Sequence, residues 1–155
     1  MQIYAVVDTN VIVSALITKN PQSPPNLVLN EMLDGRIIPL YHADIIEEYR
    51  DVLSRTKFHL KSETIEKVIN SIISNGIEVN PTPTGEIFVD MDDLVFYEVA
   101  MEKRDDDAYL VTGNQKHYPV RDFIITPSEM LNILDRKSTR LNSSHRLESR
   151  MPSSA

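Results

Sequence analysis

The chain contains no cysteine. That absence excludes disulfide scaffolds, cysteine zinc fingers, iron–sulfur clusters and thiol nucleophiles together, and it fits a reducing cytoplasm. No apolar stretch approaches the roughly 20 residues that a membrane helix needs. The opening Met1-Gln2-Ile3-Tyr4-Ala5-Val6-Val7-Asp8 has no basic leader, and Asp8 interrupts the apolar run early, so no signal peptide is expected. No Gly-rich loop leads into Lys-Ser or Lys-Thr, which excludes a P-loop NTPase. What remains is 155 residues, 41% hydrophobic and 25% charged, the profile of one globular domain of ordinary size.

The net charge of −7 is unevenly spread. Lys137–Ala155 carries four Lys/Arg and one Glu, whereas Met1–Arg136 carries 12 basic and 22 acidic residues, a net −10. The chain therefore divides into a working domain, 1–136, and a tail, 137–155, rich in Ser and Arg and without helical or strand period. The tail resembles translated adapter or vector sequence; the alternative is a basic arm for nucleic acid. An acidic domain is not an obvious nucleic-acid binder, because Lys and Arg hold phosphate backbones. It becomes one if the excess acid holds metal ions.

Strand and helix signals alternate along the domain. Ile3–Val7 is a short apolar run, and Val11–Ile17 continues as a helix. Ser23 followed by Pro24 marks a helix start and Gly35 a stop, giving a helix over Pro24–Asp34. Arg36–Tyr41 is a second strand. Ala43–Arg55 places Ile45, Ile46, Tyr49, Val52 and Leu53 at helical spacing. Ser62 caps a helix through Ser74, with Gly76 beyond it, and Ile77–Asn80 is a strand. After the loop Pro81–Gly85 come a helix over Asp92–Arg104 and strands at Ala108–Thr112 and Phe123–Thr126. Thr126-Pro127-Ser128-Glu129 is a capping box that opens a last helix through Leu134. This alternation implies an α/β domain with a largely parallel sheet.

In an open parallel sheet, ligands bind beyond the carboxyl ends of the strands. Asp8 directly follows the first strand, where α/β enzymes put chemistry. Asn114 lies two residues past Ala108–Thr112, Asp90, Asp92 and Asp93 cluster at a helix start, and Glu47 and Glu48 lie on the helix after strand two. Crowded carboxylates repel and raise one another's pKa unless a divalent cation compensates them. Mg²⁺ or Mn²⁺ would do so and would serve phosphate chemistry. Taken singly, Asp90, Asp92 and Asp93 also read as helix caps, and Glu47 and Glu48 as solvated helix residues. Asp105, Asp106 and Asp107 read as a solvated turn.

Four segments together resemble the PIN-domain ribonucleases, within them the toxin-like group related to VapC. Val6-Val7-Asp8-Thr9-Asn10-Val11 is similar to the opening motif, an acid after strand one followed by Thr-Asn. Ile45–Arg55 is similar to the helix of the second acid, with Glu48 matching better than Glu47. Asp92-Asp93-Leu94-Val95-Phe96 resembles the third motif, with Asp93 in the acidic place. Tyr109-Leu110-Val111-Thr112-Gly113-Asn114 resembles the fourth, which usually ends in Asp and here ends in Asn114. Asn is neutral but still offers an oxygen to a cation or its water.

The resemblance implies a three-layer α/β/α fold with a central parallel sheet in order 3-2-1-4-5. It implies metal-dependent hydrolysis of single-stranded RNA by water rather than the 2′-hydroxyl, leaving 5′-phosphate and 3′-hydroxyl ends. Asp8 and Asp93 would be the principal Mg²⁺ or Mn²⁺ ligands, and Glu48 a ligand or the group that orients the attacking water. Thr9, Asn10 and Thr112 would support by hydrogen bonds, and Asn114 would be a weak or water-mediated ligand. A small cognate antitoxin protein and a homodimer or higher oligomer are the implied partners.

Other readings stay open. Asn114 favours a degenerate scaffold that binds RNA or protein without cutting. A phosphoacceptor receiver domain is also doubly wound, but it would need a lysine after its last strand, where Thr126-Pro127 stands. His42, His59, His117 and His145 share no spacing and read as solvated or capping groups rather than as acid–base catalysts. Lys57, His59 and Lys61, with Lys103-Arg104 and Lys116-His117, are small basic clusters that would touch RNA phosphates or simply lie on turns. Tyr118 would stack on a base or pack beside Pro119.

Overall fold

The computed structural model describes residues 2–145. Its elements run β1 (Ile3–Val7), α1 (Thr9–Ile17), α2 (Pro24–Leu33), β2 (Ile37–Tyr41), α3 (Ala43–Leu53), α4 (Ser62–Asn75), β3 (Ile77–Glu78), α5 (Leu94–Glu102), β4 (Tyr109–Val111), β5 (Ile124–Ile125) and α6 (Pro127–His145). The strands form one parallel sheet in the order β3-β2-β1-β4-β5. Helices flank the sheet, so the central strand β1 buries Ala5, Val6 and Val7 in succession rather than alternately. The three-layer architecture and the strand order are those the sequence implies.

Helical periodicity explains the packing around the sheet. In α3, Ile45, Tyr49 and Leu53 recur every four residues and are fully buried; in α4, Ile65, Ile69 and Ile72, spaced by four and three, are buried as well. Each full burial of such a side chain contributes roughly 1.5–3 kcal/mol. The Tyr49 hydroxyl donates to the carbonyl of Val7, which ties α3 to the end of β1. Gly76, between α4 and β3, passes so close to β2 that a Cβ there would lie 2.4 Å from the Pro39 carbonyl oxygen.

Several boundaries differ from expectation. Ser62 is the first helical residue rather than the cap of α4; Lys61 precedes it and makes no side-chain cap bond. Helix α5 starts at Leu94, because Met91–Asp93 forms a separate 3₁₀ turn capped by Asp90, whose Oδ1 accepts from the Asp92 N–H at 2.9 Å. The capping box is as expected: the Thr126 and Glu129 side chains exchange hydrogen bonds with each other's backbone N–H at 3.2 and 2.8 Å. Helix α6 runs past Leu134 and Arg136 to His145, since Ser128–His145 holds no glycine or proline to stop it. The end of the expected tail, 146–155, lies outside the described residues.

Candidate active site

Asp8 stands where β1 ends and α1 begins. Its backbone is extended, and its N–H bonds the Val111 carbonyl at 2.9 Å, continuing the β1–β4 ladder one step past the strand. As N-cap of α1 its Oδ1 accepts from the Thr9 N–H at 2.7 Å, at the positive end of the helix dipole. The ladder register, Val7 against Val111, brings Thr112 beside it. Thr112 Oγ1 donates to Asp8 Oδ2 at 2.8 Å and accepts the Asn114 N–H at 3.0 Å. A third donor is the Tyr118 hydroxyl, 3.0 Å from the same Oδ2. Asp8 is 6% exposed; burial pushes its carboxyl above the usual range, while the bonds from Thr112, Tyr118 and Thr9 pull the other way.

Asp93 closes the 3₁₀ turn ahead of α5. Its side chain caps nothing, and its Oδ2 is buried with no hydrogen-bond partner. The nearest cation-forming group is His117 Nδ1, at 3.4 Å. Burial first, then the charges of Asp8 and Asp90, raise the Asp93 carboxyl to about 6; His117 opposes the shift and Glu48 adds to it. The Asp8 and Glu48 carboxylates are thus both near enough to Asp93 to disfavour its charge.

Glu48 is half-buried on α3, whereas Glu47 beside it is exposed. Burial, then Asp92 and Asp51, raise the Glu48 carboxyl, and Arg55 opposes them. Both glutamates line an acidic groove of about 390 Å³ with Asp44, Asp51, Met91 and Asp92. Asn10 accepts the Gly113 N–H at 3.1 Å, which pins the loop after β4 to the start of α1. Asn114 is exposed and lines a different groove, with Asn10, Ser14 and Pro25. Its link to the acids is its backbone N–H on Thr112; no side-chain bond joins it to Asp8 or Asp93.

Two residues belong to this cluster that the sequence did not single out for it. Tyr118 is buried and packs edge-on against Phe88, with ring centroids 5.8 Å apart, so it is a packed residue rather than a base-stacking one. The available signal was its position six residues after Thr112, in the loop that leaves the same strand end. His117 is neither merely solvated nor a cap, because it lies against Asp93. His42 is a cap: its Nδ1 accepts the Asp44 N–H at 3.1 Å. Lys57, His59, Lys61 and Lys116 are exposed, and Asp105–Asp107 form an exposed turn.

The donor set fits a hard divalent cation through two carboxylates. Asp8 Oδ2 already accepts two bonds and Oδ1 accepts one, so Oδ1 keeps a free lone pair. The orphaned Asp93 Oδ2 is the second available oxygen. Among the described residues no three His, Asp or Glu side chains converge closely enough to enclose an ion by themselves. Mg²⁺ seldom requires that, being held by one or two carboxylates plus water. Among the described residues no helix is long and apolar enough to cross a membrane.

The sequence profile of the PIN domain matches residues 4–116. A relative from Methanocaldococcus jannaschii, the uncharacterized protein MJ1680, is 29% identical over 125 residues, which cover 79% of this chain and 77% of that protein. The match sets aside the receiver-domain reading.

Proposed function

Because the chain belongs to the PIN-domain family, whose members are generally nucleases, we propose that it is a metal-dependent endoribonuclease that hydrolyses phosphodiester bonds of single-stranded RNA. The observation that carries the reading is Asp8: a buried carboxylate at the carboxyl end of the central strand, held by three donors and electrostatically coupled to Asp93. Two acids whose charges disfavour each other are costly to keep together in the absence of a compensating positive charge.

Asp8 and Asp93 would hold Mg²⁺ or Mn²⁺. When bound, such an ion neutralises charge on the phosphoryl oxygens and acidifies the attacking water. Glu48, which lines the acidic groove, would orient the attacking water and accept its proton. Thr9 supplies its backbone N–H and Thr112 its hydroxyl to hold Asp8, and Asn10 fixes the loop that carries Thr112. Asn114 acts through a water at most, given its place in a separate groove. The acidic groove repels phosphates when no cation is present, so RNA binding is metal-dependent too.

The toxin role, the small cognate antitoxin and the homodimer or higher oligomer rest on the motif resemblance, and the cytoplasmic setting on the absence of cysteine. A second reading, a scaffold that binds RNA or protein without cutting, draws on one observation: the fourth motif supplies no acid and its Asn114 side chain makes no bond to Asp8 or Asp93. Cleavage of labelled single-stranded RNA by the full chain, with Mg²⁺ or Mn²⁺, with chelator and in Asp8→Asn, separates them. Cleavage that needs metal and falls at least ~100-fold in Asp8→Asn supports the nuclease. Cleavage that survives both controls overturns the site. Silence across several RNAs from folded protein supports the non-cleaving scaffold.

A further inference from the structure

Resting on the reading of Asp8 as a cation ligand, we propose that Tyr118 is a positioning residue that locks the Asp8 carboxylate and reserves its Oδ1 for the cation. A carboxylate oxygen accepts two hydrogen bonds comfortably. Asp8 Oδ2 receives Thr112 Oγ1 at 2.8 Å and the Tyr118 hydroxyl at 3.0 Å, so it is saturated. Oδ1 receives the Thr9 N–H alone. The carboxyl plane is therefore fixed by donors on both oxygens, and the one free lone pair lies on Oδ1. Asp8 is available as a monodentate ligand with its second oxygen closed off.

Of the three donors, Tyr118 has the least other reason to be there. The Thr9 N–H is the first turn of α1, and Thr112 Oγ1 also accepts the Asn114 N–H. The Tyr118 hydroxyl makes no second bond, and it reaches Asp8 from 110 residues away. Its aim is set by packing: the ring stands edge-on to Phe88, and Phe88 in turn packs on Tyr97, with centroids 5.4 Å apart. Phe88 and Tyr118 are both buried, so the ring has no freedom to swing the hydroxyl away. The segment that carries Phe88 is tied to α5 by Thr82 on Glu102 and Thr84 on Glu98. The hydroxyl is thus held by a rigid aromatic stack that the carboxylate itself does not form.

Partners that orient a metal ligand typically account for 10–100-fold in metal affinity or activity. The test compares the full chain with Tyr118→Phe, Tyr118→Leu and Asp8→Asn. Mn²⁺ affinity is read by electron paramagnetic resonance of the free ion, beside melting temperature and RNA cleavage kinetics. Tyr118→Phe keeps the ring on Phe88 and removes only the donor. It is expected to melt a little below the parent but well above Tyr118→Leu, to bind Mn²⁺ about 10-fold more weakly, and to lose about 10-fold in kcat at saturating RNA. Tyr118→Leu is expected to lower the melting temperature as well. Parent-like Mn²⁺ affinity and kcat in Tyr118→Phe would overturn the proposal, while loss of binding in Asp8→Asn in the same experiment leaves the site reading intact. A melting temperature in Tyr118→Phe as low as in Tyr118→Leu would make the hydroxyl structural and also overturn it. If neither the parent nor Asp8→Asn binds Mn²⁺, the site reading fails and takes this inference with it.

Discussion

Replacing Asp93 with Asn should make the protein more stable in chelated buffer at neutral pH, at the expense of its activity. A free Asp side chain ionises near 3.8, and Asp93 is raised to about 6 by burial and by the charges of Asp8 and Asp90. A gap of about 2 pKa units is worth about 3 kcal/mol at most. The side chain is 15% exposed, so solvent screens part of that. Asn also gives up a favourable charge at the start of α5, worth roughly 0.3–1 kcal/mol. The net gain is about 1–2 kcal/mol, or roughly 3–7 °C in melting temperature for a chain of this size. The sign follows from proton binding. Between about pH 4 and pH 6 the folded protein holds a proton that the unfolded chain has released, so the parent loses stability as pH rises through that window and stays level above it. The variant lacks this slope. Urea denaturation with EDTA, followed by far-ultraviolet circular dichroism at pH 4 and pH 7.5, reads both points. A variant no more stable than the parent at pH 7.5, or stabilised equally at pH 4, would refute the electrostatic reasoning.

Thr112→Val keeps the shape of the side chain but leaves the buried Asp8 carboxylate one donor short and the Asn114 N–H without its acceptor; a loss of about 1–3 kcal/mol in urea unfolding is expected. Gly76→Ala places a methyl group 2.4 Å from the Pro39 carbonyl oxygen and 2.6 Å from that of Ile72, backbone atoms that cannot swing aside. It should cost about 1–3 kcal/mol and lower the melting temperature, without changing Mn²⁺ affinity.

The periodic elements could be read from the sequence because burial and periodicity coincide in them. Ile45, Tyr49 and Leu53 announce α3, and Thr126-Pro127-Ser128-Glu129 announces the start of α6, because each signal lies within a few residues of its consequence. Asp8 was legible for a similar reason, an acid at the carboxyl edge of an apolar strand. The errors fall where particular side-chain contacts, rather than periodicity, decide. The Met91–Asp93 turn splits off from α5 under the Asp90 cap, in a stretch where three acids alone suggested a single helix start. Tyr118 and His117 have no local pattern at all. Their roles come from the fold bringing their loop against Asp8 and Asp93, and sequence separations of 110 and 24 residues leave no periodic trace. Asn114, prominent in the motif, is linked to the acids through its backbone N–H on the Thr112 hydroxyl that holds Asp8, a tie that its side chain does not announce.

The bonds that hold Asp8 have a consequence for synthesis. The Asp8 carboxylate is made well before its side-chain donors: Thr112 and Tyr118 follow 104 and 110 residues later. Until β4 has docked beside β1, the Asp8 side chain has only its helix-capping bond to Thr9. The cluster is therefore incomplete until both donors have been made, and a product that stops before Tyr118 never acquires it.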